Sequence, residues 1–364
     1  MNLKTNFSAA SLPIVLVIST LMLLSILGVF ILYDRNNCEI SLSHYKIQQM
    51  MNLDSAVLLY CKDSLFINRL SVDSTVQLYE NDSHSIVKLS VSKYGLYEIV
   101  RVSSDKNKFT KTAVIGSTNT GYDNLTFYVS NKYSPLSITG NSNLEGTIYV
   151  PKYGVSYNQM EYQVFTGNEI NSTQIKTSNT ELPTTINQDN FTFDTAHLSL
   201  SKDMCLEDTI LLAKSITVKS GFVGTVQLIA KDTVIIESNV ILKYPSGIYI
   251  SKNHENGYIE INKNSIINGY VVIGKSEIES QDRKPNLKMD IKSEIRGIAY
   301  INGISQLQGM VTGKVFTDEC SLYMNNSTYE NTIYNFSVIE NNDVIAPILL
   351  ENSPYERSII KWLN

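Results

Sequence analysis

Apolar side chains run without a charge from Leu12 to Tyr33, and no acidic or basic residue stands between Lys4 and Asp34. Crossing about 30 Å of hydrocarbon takes roughly 20 helical residues, so residues 12–33 are predicted to form a transmembrane helix. A cleaved signal peptide is the rival reading. Its apolar core is about 7–15 residues long and ends at a small-residue cleavage site, which "FILYDRNN" does not supply. Lys4 and the amino terminus are set against a following flank that mixes Asp34, Arg35 and Glu39. That balance puts residues 1–11 in the cytoplasm and the remainder outside it. In a bacterium with two membranes the remainder is then periplasmic and the anchor sits in the inner membrane.

Beyond the anchor the period of the pattern changes twice. From 34 to 63 the apolar positions Ile40, Tyr45, Ile47, Met50, Met51, Leu53, Val57 and Leu58 follow a helical spacing. The segment reads as an amphipathic helical stalk that packs on its own domain or on copies in an assembly. From 72 to 200 the period falls to two: "SIVKLSVSKYGLYEIVRVSS" gives two strands around Tyr94 and Gly95, hence an antiparallel β-rich region. Asn-, Ser- and Thr-rich sequence with long loops follows, and 168–190, with no apolar period, reads as an exposed loop or a partly disordered excursion.

From 209 to 317 short β-branched strands recur, among them "GTVQLIA", "DTVII", "GIYIS", "YIEIN", "GYVVIG", "GIAYI" and "GMVTGKVF", with no helical pattern between them. Asn-Gly hairpin turns are few. A single-stranded parallel β-helix therefore explains the run better, with Val, Ile and Leu inside and Gly or Asn at the corners; a β-sandwich is the alternative. The tail, 318–364, loses the pattern and ends in "SPYERSIIKWLN", an apolar cap for the core end or for the stalk. The fold class is mainly β behind an N-terminal transmembrane helix and stalk.

Composition narrows the chemistry. A net charge of -5 gives no basic footprint for nucleic acid. Four cysteines are too few for a disulfide scaffold; Cys38 and Cys61, on one helix, would lie about 34 Å apart, while Cys205 and Cys320 flank the repetitive region and are a possible pair, with four buried free thiols the other reading. His44, His84, His197 and His254 are scattered without metal-ligand spacing. No nucleophile elbow, phosphate loop or dinucleotide fingerprint occurs, so no catalytic residue, metal or cofactor is expected. The enzyme alternative is polysaccharide processing on a solenoid face, for which Glu277, Glu279, Asp282, Arg283 and Lys284 form the densest charged cluster. The 22 tyrosines offer a stacking surface for sugars or, more simply, good strand formers.

Two resemblances rest on these residues. "IINGYVVIG", "IRGIAYING" and "LQGMVTGKVF" resemble the Gly-punctuated repeats of bactofilins and related polymer-forming β-helix proteins. The anchor, stalk and β-rich exterior together resemble minor pilins and pseudopilins of type IV pilus and type II secretion machines. The likeness stops at "NFSAASLP", which lacks the Gly before the cleaved bond, and the following helix lacks the Glu, that pilin processing uses. Asp-Ser/Thr-aliphatic triplets at Ser55, Ser64, Thr195, Thr209 and Thr233 resemble the O-glycosylation signal of one Gram-negative lineage. Taken together, the resemblances imply a non-enzymatic, envelope-anchored scaffold or assembly component with protein partners or self-association. A surface adhesin or glycan-binding protein is the competing interaction reading.

Overall fold

The computed structural model describes residues 11–62, 73–80, 82, 85–104, 109–118, 124–159, 164–183, 191–250, 257–274, 284–341, 343–350 and 356–363. Helix α1, Ser11–Lys62, is continuous. At about 1.5 Å per residue it is roughly 78 Å long, and its apolar first half is long enough to cross a membrane.

The far end of α1 lies on a five-stranded antiparallel sheet of β1 (Asp73–Gln77), β2 (Ile86–Tyr94), β3 (Tyr97–Ser104), β4 (Thr110–Ser117) and the C-terminal strand Arg357–Leu363. Period-two alternation sends Val87, Leu89, Val100, Val102, Ala113 and Ile115 to the helix, where they bury Leu53, Ala56, Val57, Tyr60 and Cys61. The turn at Gly95 joins β2 to β3 as the sequence suggests. The tail docks on the stalk's sheet, one of its two expected placements, but local pattern does not name its partner strand more than two hundred residues away.

Between Leu125 and Leu200 the expectation of antiparallel pairing fails. Leu211 pairs in parallel with Leu228, and the same column runs on through Ile248, Val271, Ala299, Val315, Phe127, Ile148 and Ile175. Two further parallel ladders flank it, one through Leu198, Ile216, Val234, Ile259 and Leu287, the other through Val223, Ile241, Ile266, Glu294 and Met310. The strands of these three ladders thus pair in parallel with strands later in the chain, contrary to the antiparallel pairing of a β-sandwich, and the one hairpin among their described residues is Gly309–Met324 with Ser327–Glu330. Their inward side chains form one continuous core. Asn124, Asn239, Asn264, Asn326 and Asn335 take left-handed corners, as the Asn-rich punctuation suggests.

The ladders also extend beyond 209–317. Residues 125–177, earlier in the chain, stack past the strand Gly309–Met324, so the sequential boundary at 209 is not a structural one. The stretch expected as an exposed loop contributes a short 3-10 turn, Ser172–Gln174, and the end strand Ile175–Thr177; 184–190 lies outside the described residues. That strand is too short and polar to show a period.

One outward column of the first ladder is aromatic: Tyr249, Val272, Tyr300, Phe316, Tyr128 and Tyr149 are register neighbours. It is covered, not solvent-facing. Leu96, Tyr97 and Val114 of the antiparallel sheet, Ala346 and Leu350 of the tail, and Phe191 and Phe193 pack over it. Gln227, itself buried, joins the two sheets: its Nε2 donates to Tyr94 O (3.1 Å), while its Oε1 accepts from Leu96 N (3.1 Å) and Tyr270 OH (2.7 Å). Lys361 binds Asp208 across the same junction at 2.7 and 2.9 Å. A Gln in a β-branched strand carries no sequence signal of such a role.

Candidate functional site

The surface that stands out is on α1. Residues 34–62 continue the apolar helix, and at 3.6 residues per turn Ile40, Ile47, Met51 and Leu58 fall within about 40° of one another. All four are exposed, at 47, 55, 58 and 53%. The side of α1 that meets the sheet lies opposite, through Leu53, Ala56, Val57 and Tyr60. Between Tyr33 and Met51 the stripe's own face carries only uncharged side chains and His44, since Asp34, Arg35, Glu39 and Lys46 project roughly 100° or more away from it. Arg35 and Glu39 pair with each other along the helix. The helix therefore has two apolar faces, one used by its own domain and one open. Single-period reading merges the two, because the eight apolar positions serve both.

The end of α1 is pinned by a buried charge cluster. Arg357 Nη1 donates to Glu98 Oε2 at 2.9 Å and to Tyr60 OH, while Tyr60 OH donates to the same Glu98 oxygen at 2.6 Å. The guanidinium also lies over the Tyr60 ring, 5.2 Å from its centroid. These three side chains tie α1, β3 and the C-terminal strand together and hold the helix at a fixed rotation, so the open stripe always points away from the sheet.

The cysteines are free thiols. Of the two readings the free thiols hold and the Cys205–Cys320 pair is not formed: Cys205 is exposed and Cys320 is buried. About five ladder steps of roughly 4.8 Å separate them, far beyond disulfide reach. Burial pushes the Cys61 thiol up to about 11, against the opposing pull of Lys62 and Arg357, and burial, followed by Glu319, pushes Cys320 up as well. Maleimide near neutral pH is expected to label Cys38 and Cys205 quickly and to reach Cys61 and Cys320 only on unfolding; four equally fast labels, counted by mass, would contradict this burial.

The remaining candidates are not gathered. Ser55 is half-buried on α1, Thr195 is exposed, and Thr209 and Thr233 are half-buried in ladder strands; Ser64 lies outside the described residues, as do Glu277, Glu279, Asp282 and Arg283. Lys284 is exposed at the margin of that gap. Among the described residues no group of three His, Cys, Asp or Glu side chains is placed to hold a metal ion. Comparison with known protein families, curated proteins and solved structures returns no match. What can be said of function therefore rests on the helix, the sheet and the ladders.

Proposed function

We propose that the chain is an envelope-anchored assembly component that acts by holding a rigid β body on a membrane-rooted helix. In this reading residues 12–33 span the inner membrane, the rest is periplasmic, and the parallel ladders are the faces of a single-stranded β-helix. The observation that carries it is the open stripe Ile40, Ile47, Met51 and Leu58, collinear with the apolar segment and turned from the domain it supports. Contiguous apolar surface of this kind marks an interface. A second copy is the occupant that fits best, because identical anchors set both stripes at equal depth and bring the uncharged face from Tyr33 to Met51 opposite its copy. A pilus-like or secretion-type complex is the setting that the sequence resemblance suggests.

Ile47→Glu with Met51→Glu places charge in the stripe without touching the face that meets the sheet. In detergent extracts of intact membranes the double variant is expected to shift the native complex to monomer size while keeping its folded β signal. A parent protein that runs as a monomer, or a variant with unchanged complex size, would overturn the reading.

A further inference from the structure

The outward face of β1, β2 and β3 carries Tyr97 and Ile99 onto the aromatic column at one end and a different chemistry at the other. There Ser74, Thr75, Lys88, Leu89, Ser90, Arg101 and Ser103 line a half-open cavity of about 240 Å³. The register sets Thr75 beside Lys88, Lys88 beside Ser103 and Ser90 beside Arg101, so two cations lie diagonally on adjacent strands within a field of hydroxyls. Like charges so placed repel.

The cations of this sheet that reach a neighbouring element have a carboxylate: Lys111 has Asp54, Arg357 has Glu98 and Lys361 has Asp208. Among the described residues the side chains of Lys88 and Arg101, both exposed, have neither an ion pair nor a hydrogen bond. Asp73 stands opposite Ser90 in the register, so the row still holds positive charge in excess.

We infer that this cavity binds an oxyanion carried on a sugar, with Lys88 and Arg101 meeting the anion and the Thr75 and Ser90 hydroxyls meeting the sugar's. Charge-assisted hydrogen bonds to an oxyanion are the strong contacts such a pair can make. The size argues for a single ring with its charged group, since drug-sized ligands occupy about 300–1,000 Å³. A lipid headgroup is the wrong source on the anchored reading: α1 covers about 30 Å between Tyr33 and Leu53, where the sheet begins.

The test is calorimetric titration of the full chain in detergent with glucose 6-phosphate, inorganic phosphate and glucose. Glucose 6-phosphate is expected to bind saturably, glucose not at all, and Lys88→Ala or Arg101→Ala to weaken binding about tenfold or more. Phosphate bound as tightly as glucose 6-phosphate supports an oxyanion site and assigns it to free anions. Lys88→Arg is expected to retain binding, and unchanged Trp362 fluorescence shows that each variant is folded. Absence of saturable binding to about 10 mM, equal binding of glucose and glucose 6-phosphate, or indifference to both alanine variants would overturn the site. None of these outcomes depends on whether α1 self-associates.

Discussion

Gly297→Ala is expected to unfold the ladder region. Gly269, Gly297 and Gly313 are successive register neighbours, with φ near +140°, +147° and +142°. A Cβ on Gly297 would lie 1.8 Å from the carbonyl oxygen of Gly269. That atom is backbone in a continuous column, so no rotamer relieves the overlap, and any shift is passed to the rungs on both sides. The φ strain alone costs about 1–3 kcal/mol; with the overlap the loss exceeds about 4 kcal/mol, a large part of a usual stability of about 5–15 kcal/mol. Gly154, at φ +76° with open space around its Cβ position, is the control, and alanine there is expected to cost about 1 kcal/mol. A urea midpoint for Gly297→Ala equal to that of Gly154→Ala would contradict the stacked-glycine account.

Arg357→Met is expected to release the C-terminal strand. Arg357 is buried, its carboxylate partner Glu98 is four-fifths buried, and removing one member of such a pair leaves an uncompensated charge at a cost of about 3–5 kcal/mol. Tyr60→Phe removes the two hydrogen bonds of its hydroxyl, to Glu98 and from Arg357, and leaves the ion pair, so its cost is about 1–3 kcal/mol. Trp362, the chain's one tryptophan, is on the released strand with the Lys111 ammonium 5.3 Å from its ring centroid. Its fluorescence therefore reports undocking directly, and in Arg357→Met it is expected to change at lower urea than the far-ultraviolet β signal. Coincident transitions at the parent midpoint would show that the cluster does not hold the strand.

Sequence reading went far where period and punctuation are local. The apolar run, the stalk, the hairpin at Gly95 and the β-branched strands with Gly and Asn corners were all legible, because each depends on residues within a turn or two. Three features were not. Parallel pairing of 125–177 rests on partners such as Val315 for Phe127, and nothing near Phe127 names them. Docking of the tail depends on Arg357 finding Glu98 and Tyr60, three residues with no common motif. The buried tyrosine column looks in sequence like a surface for sugars, since a side chain on the outer face of one sheet is exposed unless another sheet covers it. Gln227 is the polar residue that couples those sheets, and a lone glutamine gives no warning of it.

The stripe was half-legible for the same reason. Helical spacing identified Ile40, Ile47, Met51 and Leu58 as facing something, and only the position of the sheet under Leu53 and Val57 shows that they face away from their own domain. The rotation of α1 set by the Arg357 cluster is what turns a pattern into a surface.

Disulfide trapping at position 47 in intact membranes tests the assembly account most directly. Ile47→Cys with Cys38→Ser puts a single exposed thiol in the stripe, and the parent Cys38 lies about 160° round the helix from Ile40. The account predicts a dimer of twice the chain's mass from Ile47→Cys under mild oxidation and little from the parent. Efficient trapping through Cys38, or monomer from both, would contradict it.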